Sequence, residues 1–299
     1  MSVRLGINPL TWTNDDLPSL GGNTPLETCL TEGRQAGFSG FELGQKFPRT
    51  PDALNAVLKD HDLSLVSGWY SSQLLERSVE EELEAVEDHL QLLKQCGATV
   101  MVFCEVTHCV HGDQMRPVSQ RPHLQDVDWP RLTEGLDRVG AYLRDHGVQL
   151  VYHHHLGTVV ESQADVERLM DNTSDAVGLL LDFGHLVVAG GDPLAITQRY
   201  SDRIHHIHCK DVRFDVLKEA RNRDKSFLDG VLDGLFAVTG DGDIDFLPAL
   251  SHMSDQGYEG WLVVEAEQDP SVAHPMTHAR QGYQGLRAVA EKAGFKIAE

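Results

Sequence analysis

Short apolar runs alternate with amphipathic segments along the chain. The apolar runs predict strands near residues 3–8, 39–44, 63–69, 99–105, 148–155, 177–182, 203–209 and 259–266. The clearest helical pattern begins with a capping box, Ser78-Val79-Glu80-Glu81, and continues with apolar residues at steps of three and four. Glycines mark the ends of several predicted helices directly before the next strand, at Gly37, Gly97 and Gly147. Strand and helix are therefore predicted to alternate eight times.

This alternation predicts an α/β fold of the (β/α)8 TIM-barrel class, with residues 1–299 forming a single domain. A doubly wound open sheet is the alternative architecture. The chain contains no low-complexity segment and no obvious linker. One long stretch without a clear pattern, residues 212–243, lies between the seventh strand and its helix. At that end of a barrel, long loops commonly form a lid or a substrate wall.

Composition and charge narrow the function classes. A hydrophobic content of 41% in 299 residues is enough for a large core. The formal net charge of −21 argues against nucleic acid as a partner, because the surface would repel a phosphate backbone. No apolar run approaches the roughly 20 residues that span a bilayer, and the first residues lack a signal-peptide pattern. We therefore expect a cytoplasmic protein with no membrane partner.

Cysteine usage points to no special chemistry. The chain has five cysteines, an odd number, and none of them forms a Cys-x-x-Cys pair. Neither a disulfide framework nor a thiolate zinc site is suggested by this spacing. We expect reduced thiols at Cys29, Cys96, Cys104, Cys109 and Cys209.

Metal-binding and proton-transferring side chains cluster where four late strands end. They are His153, His154 and His155 in the fifth strand, Asp182 after the sixth, His208 and Lys210 after the seventh, and Glu265 and Glu267 after the eighth. The carboxyl ends of barrel strands meet at one rim, where barrel enzymes carry their active sites. A single polar strand ending is more often a hydrogen-bonded core group, but four coincident endings favour a metal centre. Imidazole and carboxylate donors without thiolate suit Mn²⁺, Co²⁺, Fe²⁺ or Zn²⁺ better than Mg²⁺.

The same strand endings resemble those of the xylose-isomerase-like barrel superfamily of sugar isomerases, epimerases and endonuclease IV. The resemblance rests on Asp182-Phe183-Gly184-His185, His206-Ile207-His208-Cys209-Lys210-Asp211 and Gly260-Trp261-Leu262-Val263-Val264-Glu265. It implies that Asp182, His208 and Glu265 bind a divalent metal. On the fifth strand the sugar isomerases have Glu-Asn-His, whereas this chain has three histidines. Either His153 replaces the missing carboxylate as a neutral ligand, or water completes that corner of the site.

Within this superfamily the chain is most similar, over nearly its whole length, to the inosose dehydratases of inositol catabolism. That likeness rests on residues 6–12, 37–44, 152–158, 208–213, 225–227 and 265–270, of which the triple histidine is the most specific. It implies a hydro-lyase that takes 2-keto-myo-inositol, abstracts a proton next to the ketone and removes water to give a trihydroxycyclohexane-dione. The metal is expected to be Mn²⁺ or Co²⁺. Participation of glutathione and assembly into a homo-oligomer are left open by the sequence.

Roles within the predicted site follow from this resemblance. The general base and general acid are expected among Glu267, Lys210, His155 and His185. An ion pair between Lys210 and Asp211 that holds the strand end is the alternative for that lysine. Substrate contacts or pocket packing are expected from residues near the early strand ends and from the middle histidine of the fifth strand, namely Asn8, Trp12, Glu42, Glu105 and His154.

Three other functions compete with dehydration. A ketose or inosose isomerase or epimerase on the same barrel would shuffle a hydroxyl without losing water. A non-catalytic sugar-binding protein is disfavoured by the density of acids and bases, and an abasic-site nuclease by the negative charge. The late turn Gly240-Asp241-Gly242-Asp243-Ile244-Asp245 carries three carboxylates and favours an unphosphorylated polyol, unless it only turns the chain and caps the next helix at Asp243.

Overall fold

A computed structural model describes residues 2–298 of the chain. Eight parallel strands close into a barrel, because the last of them pairs with the first. The strands are β1 Ser2–Ile7, β2 Gly40–Leu43, β3 Ser64–Ser72, β4 Val100–Glu105, β5 Gln149–His153, β6 Val177–Asp182, β7 Ile204–His208 and β8 Gly260–Val264. The predicted TIM barrel is confirmed, and each strand lies within a few residues of its predicted position.

Helices cover the outside of the barrel and fill the loops at its rim. They are α1 Leu26–Ala36, α2 Pro51–Asp60, α3 Val79–Gln95, α4 Trp129–Asp145, α5 Gln163–Asp171, α6 Phe183–Val188, α7 Pro193–Tyr200, α8 Phe214–Asn222, α9 Phe227–Leu232, α10 Leu247–Asp255 and α11 Pro275–Lys292. The capping box before α3 is confirmed: Ser78 Oγ accepts from the Glu81 backbone N–H, and the Glu81 carboxylate accepts from the Ser78 N–H at 2.8 Å. None of the helices in residues 2–298 is both long and apolar enough to cross a membrane.

The barrel interior changes from apolar to polar along the strands. Val102, Val151 and Leu180 belong to one buried apolar cluster. Side chains two residues apart share a face of a strand, so His153 follows Val151 and Asp182 follows Leu180 on the interior face. The apolar cluster therefore forms the floor beneath the polar strand ends.

The stretch 212–243 is more ordered than its sequence pattern indicates. It contains α8 and α9, and its ends pair as a short antiparallel ribbon, Asp211–Val212 with Phe236–Ala237. Its apolar residues pack with Leu156, from the loop after β5, into a separate cluster that includes Phe227 and Phe236. The segment is thus anchored over the rim, as a substrate wall would be.

The acidic turn at residues 240–245 is structural. The backbone N–H groups of Gly240, Gly242 and Ile244 donate to the Asp211 carboxylate at 2.9–3.1 Å. Asp243 accepts from the Phe214 N–H and so caps α8 instead of the next helix. Asp211 is therefore occupied by backbone donors and does not pair with Lys210. The charge of this turn gives no information about the substrate.

Two glycines of helix α4, Gly135 and Gly140, test how closely this helix packs on the rest of the barrel. A Cβ at Gly140 would lie 2.6 Å from the backbone oxygen of Ala176, whereas a Cβ at Gly135 would lie 3.2 Å from a methyl group of Leu74. We expect Gly140→Ala to lower the free energy of unfolding by about 1–3 kcal/mol, because backbone must move. Gly135→Ala should change it by less than about 1 kcal/mol, since Leu74 can shift and alanine favours the helix. Equal effects in urea unfolding would contradict this packing.

Candidate metal centre

Four buried side chains converge at the rim of the barrel. They are His153, Asp182 and His208, the last residues of β5, β6 and β7, and Glu265, directly after β8. One potential ligand atom from each lies within 4.8 Å of the others. His208 Nδ1 is 2.8 Å from Glu265 Oε2 and 3.4 Å from Asp182 Oδ2. The structure therefore brings together all four of the residues that the sequence nominated as ligands.

Hydrogen bonds outside the cluster determine which atoms face it. His208 Nε2 lies 3.0 Å from a Glu42 oxygen, and because a carboxylate only accepts, Nε2 carries a proton and Nδ1 is the ring atom that faces the cluster. His153 Nδ1 donates in the same way to the His154 backbone oxygen at 2.7 Å, which leaves Nε2 free. Asp182 Oδ1 accepts from the His185 backbone N–H, so Oδ2 is left for the cluster.

Two of the atoms that face the cluster have no hydrogen-bond partner outside it. Within residues 2–298, Asp182 Oδ2 is buried without a hydrogen-bond partner, and the carboxylate oxygen nearest to the buried His208 Nδ1 is Glu265 Oε2, from another member of the cluster, at 2.8 Å. Buried polar atoms are nearly always satisfied, so these two atoms call for an explanation. Two imidazole nitrogens and two carboxylates are a suitable donor set for a divalent transition metal. These residues fit the expected metal.

Burial and neighbouring charges determine which of the four cluster residues carry a proton. Burial alone would lower the pKa of His208, but the carboxylates of Glu265 and Glu42 raise it well above its ordinary value. Burial alone would likewise raise the pKa of Glu265, but His208 and Lys210 lower it. The pKa of His153 is lowered to about 4, mainly by burial. His153 is thus neutral at neutral pH, whereas His208 would release a proton when it binds a cation.

Lys210 connects the cluster to a second group of predicted residues. Its buried ammonium donates to Glu265 Oε1 at 2.7 Å, to Glu267 Oε1 at 2.8 Å and to His185 Nε2 at 2.9 Å. Burial alone would lower the pKa of Lys210, but Glu265 and Glu267 raise it. The lysine is therefore a permanent cation with all three N–H groups in use.

A cavity of about 260 Å³ opens onto this rim. Its walls include His153, Glu265 and Glu267 from the predicted ligand and proton-transfer sets. His155 also lines it, and its ring lies 3.8 Å from the ring of His185, which sits beneath. Burial lowers the pKa of both of these imidazoles well below its ordinary value. The cavity thus combines a candidate metal position with a carboxylate and a neutral imidazole.

Of the five predicted substrate contacts, Asn8 lines the cavity and donates to Glu42 at 2.7 Å and to Glu265 at 3.2 Å. The other four lie away from it. Trp12 is buried in the core, where Nε1 donates to Glu32 at 2.6 Å. His154 lies on the opposite face of its strand from its neighbours, and its Nε2 accepts from the Asp182 N–H.

The two predicted glutamates are also withdrawn from the cavity. Glu42 lies beneath the cluster, where it accepts hydrogen bonds from Ser67, His206 and His208 at 2.6–3.0 Å. Burial alone would raise the pKa of Glu42, but these imidazoles lower it well below its ordinary value. Glu105 is buried and accepts from Ser72 Oγ and the Thr107 N–H. Both carboxylates stabilise neighbouring protein groups. Of the two expected roles, substrate contact or packing, the structure favours packing for Glu42, Glu105, Trp12 and His154, because none of them lines the cavity.

The loops after β1 and β2 and the carboxyl end of β3 supply cavity walls that the sequence reasoning missed. These residues are Asp15, Asp16, Gln45, Arg49, Trp69 and Ser71. Trp69 packs edge-on against the rings of His153 and His155, at 5.4 and 5.7 Å between centroids. The sequence contained one signal that could have identified Trp69 and Ser71 as cavity residues. Both lie near the carboxyl end of the third strand, which is at the same rim as the predicted metal site.

Comparisons with known proteins agree with this architecture. The model of the family described as xylose isomerase-like TIM barrel matches residues 30–289. The chain is 49% identical over 297 residues to the rhizopine catabolism protein MocC of Rhizobium meliloti, covering 99% of this chain and 91% of that protein. It is 44% identical over 290 residues to an inosose dehydratase of Lacticaseibacillus casei, covering 96% and 97%.

A solved structure of the IolI protein with a bound zinc atom has the same fold. It superposes with a TM-score of 0.70 at 17% identity, and the match covers 97% of this chain and 99% of that one. At this level of identity the likeness concerns the barrel alone.

The ligand assignment predicts a loss of metal affinity without loss of fold. Asp182→Asn and Glu265→Gln each remove a negative donor from the cluster, so we expect a lower affinity for Mn²⁺ or Co²⁺ in equilibrium dialysis. Far-ultraviolet circular dichroism should stay unchanged, because rim residues contribute little to the barrel core. The control is Asp145→Asn, the same change at the exposed end of α4. A variant that binds metal as tightly as this control would remove that residue from the ligand set.

Proposed function

The chain belongs to the xylose isomerase-like TIM-barrel family and is a hydro-lyase, and on that premise we propose that it dehydrates 2-keto-myo-inositol in inositol catabolism. The product would be a trihydroxycyclohexane-dione. Two kinds of observation support this proposal. Inosose dehydratases are 40–44% identical to the chain over most of its length. Two residues of the four-residue cluster, His153 and Glu265, line the same cavity as Glu267, whose carboxylate is suited to proton abstraction.

The cluster would hold a divalent cation, which we propose to be Mn²⁺ or Co²⁺, through His153, Asp182, His208 and Glu265. Such a cation acts as a Lewis acid that stabilises negative charge on a ketone oxygen. Neighbouring protein groups orient the side chains that would bind the cation. Glu42 holds the His208 ring from below, the His154 carbonyl holds His153, and the α6 backbone holds Asp182.

Glu267 is the base that the geometry favours among the four predicted candidates. It lines the cavity, and its two oxygens are held by Lys210 at 2.8 Å and by Asn14 at 3.3 Å. Burial raises the pKa of Glu267, which makes its carboxylate a stronger base than one in water. Lys210 then has a positioning role, because its ammonium fixes Glu267 relative to Glu265.

The neutral imidazole of His155 suits substrate binding. Its Nδ1–H donates to the Leu156 carbonyl at 2.8 Å, so Nε2 carries a lone pair that can accept from a substrate hydroxyl. His185 is one step further back, where it accepts from Lys210. We therefore assign His155 to the polyol and His185 to the orientation of the lysine.

A specific observation favours a second substrate class. The relative at 49% identity is named for rhizopine catabolism, so rhizopine is the second candidate substrate for the same cavity. It should be assayed in parallel.

The test of the function is turnover of 2-keto-myo-inositol by the purified protein, with nuclear magnetic resonance detection of the dione. We expect water loss to stop after chelation and to return with Mn²⁺ or Co²⁺ more than with Mg²⁺, because imidazole ligands favour the later transition metals. Parallel reactions with and without glutathione would reveal a thiol requirement. Full turnover in excess chelator would contradict the metal requirement. A product with a rearranged hydroxyl and no loss of water would indicate an isomerase or epimerase.

A further inference from the structure

Dehydration needs an acid as well as a base, and the residues predicted from sequence do not provide a suitable one. A hydroxyl leaves carbon readily only when it is protonated as the bond breaks. Lys210 uses its three N–H groups on protein acceptors, Glu265, Glu267 and His185, and has none left for a leaving hydroxyl. His155 has its Nδ1–H bound to the backbone carbonyl of Leu156 at 2.8 Å, so that N–H is not free for a leaving hydroxyl. The proton must therefore come from another group in the cavity.

Asp16 is in the right place to supply it. It lies in the loop after β1 and lines the same cavity as Glu267. Asn14 links the two, because its amide nitrogen donates to Glu267 at 3.3 Å while its amide oxygen accepts from the Asp16 backbone N–H at 2.9 Å. The loop is thus held against the end of β8, and the position of Asp16 relative to the base is fixed by one side chain.

The carboxylate of Asp16 is available to a ligand. Within the part of the chain that the structure describes, no hydrogen-bond donor is bound to it, and His111 Nε2 lies 3.8 Å from Oδ1. Its neighbour Asp15 differs in this respect, because the Asp15 carboxylate accepts from the backbone N–H of Gln45 at 3.1 Å. Of the two adjacent acids on the loop, Asp16 is the one left open to the cavity.

The surrounding charges keep a proton on Asp16 near neutral pH. Burial, followed by the negative charges of Glu267 and Asp15, raises the pKa of Asp16 to about 7. Glu265 acts in the same direction, whereas the more strongly felt Lys210 opposes the shift without cancelling it. His111 faces the carboxylate from the loop after β4, but burial lowers the pKa of this imidazole to about 4, so it contributes no charge at neutral pH.

We propose that Asp16 is the catalytic acid, which protonates the departing hydroxyl of the substrate. The inference rests on the proposed dehydration. Glu267 takes the proton from the carbon next to the ketone, and the electron pair of that C–H bond forms the enolate. The enolate then collapses to a carbon–carbon double bond as the adjacent C–O bond breaks, and the leaving oxygen takes the Asp16 proton and departs as water. The double bond bears the hydroxyl of the deprotonated carbon, so this product is the enol of the dione and tautomerises to it. Proton exchange with solvent restores both carboxyl groups.

Separating the two proton transfers tests this assignment. In deuterium oxide, metal-loaded protein and 2-keto-myo-inositol report C–H exchange and water loss in one magnetic resonance experiment. We expect Asp16→Asn to lower water loss by about 10²–10⁴-fold while exchange next to the ketone continues. Glu267→Gln should lose both reactions. Asp16→Glu should recover part of the water loss, and Asp145→Asn, far from the cavity, should behave as the unchanged protein.

A substrate analogue gives a second measurement on the same variant. When fluorine replaces the departing hydroxyl, the leaving group needs no proton, so Asp16→Asn should eliminate fluoride at close to the rate of the unchanged protein. Fluoride elimination by Asp16→Asn would show that the variant is folded and holds metal.

Each contrary result has a distinct meaning. No water loss by the unchanged protein would overturn the proposed function and the role of Asp16 together. Water loss by the unchanged protein and equally by Asp16→Asn would overturn the role of Asp16 alone. Loss of exchange and of fluoride elimination in Asp16→Asn would also overturn it, because the residue would then act before the leaving group departs.

Discussion

The site depends on an excess of buried negative charge at one rim of the barrel. Four buried carboxylates meet there, Glu42, Asp182, Glu265 and Glu267, and the cations beside them are Lys210 and the imidazolium of His208. Buried charges are costly unless they are compensated, and here two negative charges remain uncompensated. A divalent cation that displaces the His208 proton would reduce this excess and satisfy Asp182 Oδ2, which has no hydrogen-bond partner among the described residues. The same excess holds Lys210 as a cation and, together with burial, raises the pKa values of Glu267 and Asp16.

The early and the late strands of the closed barrel contribute different parts of the site. The late strands β5 to β8 end in the candidate ligands, and the early strands carry loops that form the cavity wall. Pairing of β1 with β8 brings the two halves together, so Asn8 reaches Glu265 and Asn14 reaches Glu267. Residues more than 250 positions apart in sequence therefore share one proton-transfer site. The segment with α8 and α9 completes the enclosure, where Phe227 packs on His155.

The sequence predicted the barrel and the polar strand endings at its rim because both depend on local pattern, and the family resemblance implied which of those endings bind metal. Apolar periodicity defines each strand, and parallel strands in a barrel must end at one rim, so Asp182, His208 and Glu265 were expected together. Alternation along β5 could have placed His154 outside the cavity. The role of Glu42 could not be predicted, because its partners Ser67 and His206 come from other strands. Asp16 was missed for a similar reason, since only the fold reveals that its loop lies beside Glu267.

The number of imidazoles bound to the metal is the most direct test of the four-residue ligand set. X-ray absorption at the cobalt edge of the Co²⁺-loaded protein measures this number, because imidazole carbons scatter beyond the first shell of ligand atoms. The structure predicts two imidazoles per ion, from His153 and His208, and one in His153→Ala. One imidazole in the unchanged protein, with no difference in the variant, would contradict the assignment of His153 and leave the metal held by Asp182, His208, Glu265 and water.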